Sequence, residues 1–369
     1  MKIVADDKIP FLKGVFEPFA QVVYLPGKKI TPADVADADA LIVRTRTRCT
    51  AELLAGSKVR SVATATIGFD HINAGELARC NIRWSNAPGC NADSVKNYIS
   101  SALTVSGMGV PGKTIGIVGV GHVGSRVATA AAALGMNVLL NDPPRADKEG
   151  ETGFTGLDEL LALSDVVTLH VPLERGGKYP TLNMADEKFF AKMRQGAWFF
   201  NSCRGEAVDQ KAFLAAKKSG KLGGALMDVW PGEPDLSAEV IGAVELGTPH
   251  IAGYSADGKA NGTAAAVQFT ARQLGIEELL NWRPDSLPEP VYAPVIDLKG
   301  VNDPAEAMKR AILHAYDIRR DVDALRKNPA SFEELRGSYW VRREFSAYKV
   351  VNAPEAALES LEKLGFSGE

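Results

Sequence analysis

Three polar residues follow three predicted strands, and their types suit the oxidation of an alcohol that lies beside a carboxylate. Arg204 comes soon after the apolar run Ala197-Trp198-Phe199-Phe200-Asn201, Glu233 lies five residues beyond Asp228, and His250 follows Thr248-Pro249. An imidazole can take a hydroxyl proton, and a carboxylate on its second ring nitrogen fixes the tautomer. An arginine can hold a carboxylate through two parallel hydrogen bonds. Spacing alone leaves open that Arg204 and Glu233 are surface charges and that His250 is structural.

A glycine-rich turn precedes these residues and predicts the element that must position them. The apolar run Thr114-Ile115-Gly116-Ile117-Val118 leads into Gly119, Gly121 and Gly124, then into an alanine-rich helix predicted to start at Ser125. A second apolar run, Asn137-Val138-Leu139-Leu140-Asn141, ends at Asp142. This order is typical of a dinucleotide-binding βαβ unit, with the pyrophosphate at the helix N-terminus and the acid on the ribose hydroxyls. It predicts NAD rather than NADP as cofactor, unless the glycines serve packing only.

Further candidates have two interpretations each. Asp228 ends a strand and could receive a nicotinamide carboxamide or cap the next turn. Thr66 could contact a ligand or merely connect elements. If the strand Ala40-Leu41-Ile42-Val43 continues, three alternating arginines share one side and could grip a phosphate; otherwise they form a solvated face. These arginines are Arg44, Arg46 and Arg48.

Composition narrows the class of protein. The 369 residues are 46% hydrophobic and 24% charged, which is ordinary for a globular protein of two or three domains. A formal net charge of −3 and a pI of about 6.1 argue against nucleic acid or an anionic membrane as partner. The N-terminus has the pattern of a first strand rather than of a signal peptide, which predicts a cytoplasmic protein. The four scattered cysteines predict reduced thiols and no metal site.

Short apolar runs alternate with helical stretches along most of the chain, which predicts an α/β fold with parallel sheets. Residues 94–255 are predicted to form the nucleotide-binding domain. Residues 1–93 and 256–283 are predicted to form one discontinuous substrate-binding domain, with the active site in the cleft between these two domains. A proline-rich linker follows, and residues 284–369 have a mixed α/β pattern that suits a small third domain or an oligomerisation arm.

Four motifs together resemble the D-isomer-specific 2-hydroxyacid dehydrogenase family. They are Gly119-Val120-Gly121-His122-Val123-Gly124, Asn201-Ser202-Cys203-Arg204-Gly205, Met227-Asp228-Val229-Trp230-Pro231-Gly232-Glu233-Pro234 and Thr248-Pro249-His250-Ile251-Ala252-Gly253-Tyr254. The resemblance implies that Arg204, Glu233 and His250 are catalytic. It also implies a Rossmann-type NAD domain and a flavodoxin-like substrate domain.

Segments outside these motifs resemble one branch of that family, which acts on a phosphorylated acid and carries a C-terminal dimerisation domain. They include Val43-Arg44-Thr45, Thr64-Ala65-Thr66-Ile67-Gly68-Phe69-Asp70-His71, Tyr316-Asp317-Ile318-Arg319-Arg320-Asp321 and Val341-Arg342-Arg343-Glu344-Phe345. The implied partner molecules are a small phosphorylated 2-hydroxy acid, oxidised at C2, and a second copy of the chain.

The resemblance also implies binding residues. NAD contacts would be made by Gly119, Gly121, His122, Val123, Gly124, Asp142, His170, Val171, Asp228 and Gly253. Substrate contacts would be made by Arg44, Thr45, Thr66 and Tyr254. Arg46 and Arg48 make the segment around Thr45 more basic than expected of the branch. Two other functions stay open: dehydrogenation of a different acid such as 3-phosphoglycerate, and NAD sensing without catalysis.

Overall fold

The computed structural model describes residues 1–368 and divides into two compact units, each built on parallel strands. One unit comprises Met1–Asn91 and Ser255–Glu289, and the other comprises Ala92–Tyr254 and the described residues from Pro290 onward. Both are α/β structures with helices between successive strands, so the predicted fold class is confirmed. The three predicted domains and the cleft between two of them stay predictions.

The first unit contains a five-stranded parallel sheet in the order β2-β1-β3-β4-β5. This order is that of flavodoxin-like folds. Two of its central strands, β3 and β4, are buried at every position, which explains why they are apolar runs rather than alternating patterns. The strands are β1 Lys2–Asp6, β2 Gln21–Leu25, β3 Ala40–Val43, β4 Ser61–Thr64 and β5 Arg83–Ser85.

A long helix, Ala256–Leu274, belongs to the same unit although it lies far along the chain. Ser255 caps its first turn through the Gly258 N–H, and Gly275 ends it in the left-handed conformation. Its apolar face joins a core with β1 and β3, and a side chain at Gly262 would collide with the Ala65 carbonyl oxygen at 2.5 Å. The other helices of this unit are Pro32–Val35, Ala51–Leu54 and Ala74–Arg79, with 3₁₀ turns at Gly27–Lys29 and Glu277–Leu279.

The second unit contains a six-stranded parallel sheet in the order β11-β10-β9-β8-β6-β7. Chain order reverses at β6, and such a switch point is where doubly wound sheets bind ligands. The strands are β6 Thr114–Val118, β7 Asn137–Asn141, β8 Val166–Leu169, β9 Ala197–Asn201, β10 Leu222–Met227 and β11 Leu246–Gly247. The loops that carry the candidate residues therefore leave neighbouring strands at one edge of this sheet.

Helices cover this second sheet. The glycine-rich turn opens into the helix His122–Ala133, which starts three residues before the predicted position because the turn itself ends at Gly121. The remaining helices are Ala92–Val105, Pro143–Glu149, Leu157–Leu163, Glu187–Lys192, Gln210–Lys218 and Ala238–Ala243, with a 3₁₀ turn at Gly205–Ala207.

The C-terminal segment adds a three-stranded parallel sheet, ordered β12-β13-β14, to the second unit. Its strands are β12 Val295–Asp297, β13 Lys349–Val351 and β14 Ser367–Gly368. Its helices are Pro304–Ala315, Arg319–Lys327, Phe332–Gly337 and Glu355–Leu364, with 3₁₀ turns at Pro329–Ser331 and Phe345–Ala347. Its apolar side chains share one continuous core with the helices Ala92–Val105 and His122–Ala133. Within residues 1–368, no helix has the length and hydrophobicity that crossing a bilayer requires.

Candidate active site

Glu233 and His250 form a hydrogen-bonded pair in the second unit. The Glu233 Oε2 atom lies 2.7 Å from His250 Nδ1, while Glu233 Oε1 accepts a 2.7 Å hydrogen bond from the Trp230 N–H. Both carboxylate oxygens therefore have partners, and the acid is fixed in place. A carboxylate on Nδ1 selects the tautomer in which that atom carries the proton. Nε2, with 33% of the His250 side chain exposed, is then the ring atom that can accept a proton from a substrate.

Asp228 holds the loop that carries His250. Its Oδ1 atom accepts from the Thr248 hydroxyl and the Ile251 N–H, both at 2.7 Å, and its Oδ2 atom accepts from the Ala252 N–H at 2.8 Å. The side chain is 1% exposed. Burial raises the pKa of Asp228, opposed first by the charge of His250 and then by these hydrogen bonds. The sequence left open a cap on the next turn or a contact with nicotinamide. The Asp228 carboxylate instead holds the later loop at Ile251 and Ala252, and the contact with nicotinamide stays a prediction.

His250 has a φ of +56°, a left-handed conformation that costs about 1–3 kcal/mol for a residue other than glycine. The hydrogen bonds from the Ile251 and Ala252 N–H groups to Asp228 hold this conformation. It turns the chain directly after β11, so the imidazole meets Glu233 from the neighbouring loop.

Arg204 lies in a tight turn after β9. Buried Asn201 shapes this turn, because its amide donates to the Arg204 carbonyl at 2.9 Å and its Oδ1 accepts from the Cys203 N–H at 3.1 Å. The next residue, Gly205, packs on the turn that precedes Glu233: a side chain there would lie 2.2 Å from the Trp230 carbonyl carbon. The loops carrying Arg204 and Glu233 are therefore in direct contact. Arg204 itself is half-buried and donates from Nη1 to the Cys203 carbonyl at 2.8 Å.

The glycine-rich turn has the geometry that a pyrophosphate requires. Gly119 has a φ of +87°, and a side chain there would lie 2.7 Å from the His170 carbonyl oxygen. A side chain at Gly124 would lie 2.0 Å from the Gly119 carbonyl oxygen, so helix and turn pack closely only with glycine. No side-chain hydrogen bond caps the helix His122–Ala133. Apart from the adjacent backbone, no described protein atom lies within 4 Å of a side chain built at Gly121. The helix N-terminus can therefore accept an anion, and this region fits NAD.

Asp142 lies beside the same turn. Its Oδ2 atom accepts from the Val120 N–H at 2.8 Å and its Oδ1 atom accepts from the Arg145 N–H at 3.0 Å. The Arg145 guanidinium is bonded to Glu149 through two nitrogens, which neutralises a charge that would otherwise favour a 2′-phosphate. His122 is exposed and Val123 half-buried in the first turn of the helix, next to the glycines.

His170 and Val171 follow β8 and pack against the glycine-rich turn at Gly119. The Val171 Cγ1 atom lies 2.9 Å from where a Gly119 side chain would be. The His170 Nε2 atom lies 3.0 Å from the Thr168 hydroxyl oxygen, and burial lowers the pKa of His170 to about 3. His170 is therefore neutral at physiological pH, which suits a polar, uncharged neighbour of a nucleotide.

In the first unit, the strand on which the possible row of arginines depended does not continue. Strand β3 ends at Val43, and the chain turns because the buried Thr47 hydroxyl donates to the Gly27 carbonyl at 2.9 Å. Arg44 donates to the Lys8 carbonyl at 3.0 Å. The idea that a continuing strand aligns Arg44, Arg46 and Arg48 on one side is therefore wrong. Thr45 is exposed at the tip of this turn.

Thr66 follows β4 in a hydrogen-bonded turn. Its hydroxyl lies 2.8 Å from the Thr64 hydroxyl oxygen and donates to the Gly68 carbonyl at 2.9 Å. The Ala87 N–H binds its carbonyl. Thr66 is half-buried, so its position suits either a ligand contact or a structural connection.

Gly253 and Tyr254 end the loop that begins at His250. The Tyr254 N–H closes a turn onto the Ile251 carbonyl at 2.8 Å. The Tyr254 hydroxyl lies 3.2 Å from Arg336 Nη2, and its ring meets Tyr339 edge-on at 6.0 Å between centroids. Both partners come from the C-terminal segment.

The sequence did not reveal several residues that hold the site. Trp230 donates from its backbone to Glu233 and from its indole to the Thr248 carbonyl at 2.9 Å. Asn201 and Thr248 are buried at 0% exposure and bond to the loops described above. These residues stand inside the family motifs and near strand ends, but neither signal separates a loop-shaping residue from a solvent-facing one.

Two family models match the chain. The D-isomer specific 2-hydroxyacid dehydrogenase, NAD binding domain, matches residues 89–252, and a domain of unknown function matches residues 287–365. A curated relative from Bacteroides fragilis, named erythronate-4-phosphate dehydrogenase, is 48% identical over 356 residues, 95% of this chain and 99% of the relative. The chain belongs to the D-isomer-specific 2-hydroxyacid dehydrogenase family. This confirms the resemblance seen in the motifs.

Other relatives support membership of the family. An Escherichia coli protein, also named erythronate-4-phosphate dehydrogenase, is 41% identical over 374 aligned positions, 100% of this chain and 98% of that protein. Among solved structures, a Thermus thermophilus protein is 26% identical with a TM-score of 0.65, covering 78% of this chain and 99% of that one. D-lactate dehydrogenase from Aquifex aeolicus, complexed with NAD and lactic acid, is 25% identical with a TM-score of 0.59, covering 76% and 97%. This member of the family is an NAD-dependent oxidoreductase.

Proposed function

We propose that the chain oxidises the C2 hydroxyl of 4-phospho-D-erythronate to 2-oxo-3-hydroxy-4-phosphobutanoate, a step toward pyridoxal 5′-phosphate. The observation that carries this proposal is the Glu233–His250 pair, with a 2.7 Å contact on Nδ1 that leaves Nε2 for the substrate. The names of the curated relatives support the choice of substrate.

The proposed chemistry uses three side chains of the second unit. His250 Nε2 takes the C2 hydroxyl proton, and Glu233 stabilises the imidazolium that forms. Arg204 binds the C1 carboxylate and orients the C2–H bond. NAD, when bound at the glycine-rich turn, would supply the hydride acceptor, and loss of the C2 hydride and the hydroxyl proton converts the C2–OH group to a carbonyl.

The remaining site residues are part of the same proposal. Substrate contacts are assigned to Arg44, Thr45, Thr66 and Tyr254, whose hydroxyls and guanidinium suit a phosphorylated acid. The cofactor contacts are assigned to the glycine-rich turn with His122 and Val123, to Asp142, and to His170, Val171, Asp228 and Gly253. We further propose the three-domain division at 93/94, 255/256 and 283/284, a cytoplasmic location, and a homodimer formed through residues 284–369.

The test is turnover of the purified protein with NAD and 4-phospho-D-erythronate. A 2-oxo acid such as 2-oxoglutarate is included in a parallel reaction, and the oxidised product is measured separately from the cofactor. Product formation is the expected result, and His250→Asn is expected to lower turnover about 10²-fold while NAD binding is retained. Much faster oxidation of 3-phosphoglycerate than of 4-phospho-D-erythronate would overturn the proposed assignment of the substrate. NAD binding without turnover on any 2-hydroxy acid would favour the sensing function.

A further inference from the structure

Arg342, in the C-terminal segment, is a fully buried guanidinium that reaches the loop carrying His250. It is 1% exposed, the largest side chain buried to this degree among the described residues. Its Nη2 atom donates to the Ala252 carbonyl and to the Ser94 hydroxyl, both at 2.5 Å. The Ser94 hydroxyl donates to the same Ala252 carbonyl at 3.0 Å. The carbonyl two residues beyond His250 therefore has two donors.

Hydrogen bonds hold the loop from opposite sides. The Ile251 and Ala252 N–H groups bind Asp228, whereas the Ala252 carbonyl binds Arg342 and Ser94. Because the N–H and C=O groups of one residue are both bonded, the loop cannot shift without breaking charge-assisted hydrogen bonds in a buried site. This arrangement stabilises the left-handed His250.

An aromatic and acidic cluster in turn fixes Arg342. The guanidinium lies over the Tyr316 ring at 4.5 Å and over the Tyr339 ring at 5.8 Å. Both tyrosine hydroxyls donate to Asp321, at 2.8 and 2.7 Å, and Asp321 is 4% exposed. The whole cluster comes from the C-terminal segment, so the position of Arg342 depends on that segment being folded.

A second arginine of the segment contacts the other end of the loop. Arg336 donates from Nη2 to the Tyr254 hydroxyl at 3.2 Å, and its guanidinium lies 5.7 Å from the centre of that ring. Tyr339 packs edge-on against Tyr254 as well. The segment therefore contacts the loop at Ala252 and at Tyr254.

We propose that Arg342 is a positioning residue for the reaction, through which the C-terminal segment sets the place of His250. The domain of unknown function would then support the catalytic loop of its own chain, independently of any role in joining two chains. This inference rests on the proposed role of His250 as the base.

The test compares Arg342→Ala with Arg320→Ala. Arg320 is a matched control, since it also lies over an aromatic ring of the segment, Trp340 at 4.2 Å, but is exposed and bonds to Tyr292. Turnover is measured per NADH-binding site, counted by fluorescence titration, and the oligomeric state is measured by light scattering. Arg342→Ala is expected to lower kcat about 10- to 100-fold with unchanged NADH stoichiometry and oligomeric state, because a small displacement of the base has such an effect. Arg320→Ala is expected to leave kcat unchanged.

Two further readouts separate positioning from general loss of structure. Guanidinium ion, at a concentration that does not unfold the protein, is expected to restore part of the kcat of Arg342→Ala, whereas urea is not. Amide hydrogen exchange of Ile251 and Ala252 is expected to quicken in the variant. If Arg342→Ala does not fold, Arg342→Lys and Ser94→Ala replace it, with intermediate losses of kcat expected.

Unchanged kcat per NADH-binding site in the folded variants would overturn the inference while leaving the proposed function intact. If the wild-type protein itself has no turnover, the proposed function fails, and the exchange rates at Ile251 and Ala252 then decide the inference. Unchanged exchange would overturn it in that case too.

Discussion

Replacing Glu233 by Gln tests the reasoning about the catalytic pair most directly. In the wild-type protein one carboxylate oxygen accepts from the Trp230 N–H and the other contacts His250 Nδ1, each at 2.7 Å. Gln has the same shape but only one acceptor oxygen, so its amide nitrogen must face one of these two partners. Either orientation breaks one interaction.

Each orientation has its own consequence. If the amide nitrogen faces His250, Nδ1 must accept, the proton moves to Nε2, and the ring can no longer take a proton from the substrate. If the amide nitrogen faces Trp230, two donors oppose each other in a half-buried site, at a cost of about 1–3 kcal/mol. In both cases the imidazolium loses a charged partner. A hydrogen bond to a charged group contributes about 1.5–3 kcal/mol, which corresponds to a fall in kcat of about 10- to 150-fold.

The assay is steady-state NADH formation, with the free energy of unfolding measured by urea titration. Glu239→Gln is a suitable control, because Glu239 is an exposed acid in the next helix, Ala238–Ala243. The double variant with His250→Asn should be no slower than His250→Asn alone, since Glu233 acts through that ring. Additive losses, or an unchanged kcat in folded Glu233→Gln, would refute the reasoning.

Three further variants test other parts of the site. Asp142→Ala should raise the KM for NAD about tenfold, because it removes the acid that holds the Val120 N–H. The same change should improve turnover with NADP, because it removes the acid expected on the ribose hydroxyls. Kinetics with both cofactors would measure these effects. In His170→Asn, the free energy of unfolding should fall less steeply than in the wild-type protein when the pH is lowered. Burial lowers the pKa of His170 from 6.5 to about 3, so as pH falls through 6.5 the unfolded chain takes up a proton that the folded chain refuses, at up to about 1.4 kcal/mol per pH unit. Asp228→Asn should lower the free energy of unfolding by about 1–3 kcal/mol, because its amide would oppose the Ile251 or Ala252 N–H, and urea titration would measure this.

Matched substitutions serve as controls. Asp147→Asn changes an exposed acid of the helix that follows Asp142 and should leave the cofactor preference unchanged. His122→Asn changes an exposed histidine and is the control for His170→Asn. An unaltered KM for NAD in Asp142→Ala would contradict the explanation given for that residue. The same holds for His170→Asn if its free energy of unfolding falls with pH as steeply as that of the wild type, and for Asp228→Asn if its free energy of unfolding is unchanged.

The fold and part of the site could be predicted because local sequence determines them. Strands β6 and β7 are continuous apolar runs, and Gly119, Gly121 and Gly124 stand where only glycine fits or where a ligand must approach closely. Such features depend on a few neighbouring residues. The family motifs then implied the proposed roles of Arg204, Glu233 and His250, which spacing alone left undecided.

Residues that act over long sequence distances could not be predicted. Arg342 reaches a carbonyl 90 positions earlier in the chain, and Tyr98 bonds to Thr248 across 150 positions. The interpretation of a continuing strand after β3 was wrong for a related reason. Thr47 bonds to Gly27, and the segment bends there although its alternating pattern is typical of an extended strand. Tertiary hydrogen bonds override local pattern at these places, and a single sequence contains no signal for them.

The helix Ala92–Val105 has a consequence for how the protein unfolds. Eleven of its fourteen residues are buried, and it packs on the helix His122–Ala133 and on the helix Pro304–Ala315. Ile99 and Leu103 belong to the core that all three helices share. The nucleotide-binding region and the C-terminal segment are therefore expected to melt as one cooperative block. By thermodynamic linkage, binding free energy gained at the glycine-rich turn would then raise the protease resistance of the C-terminal segment, to which no cofactor contact is assigned.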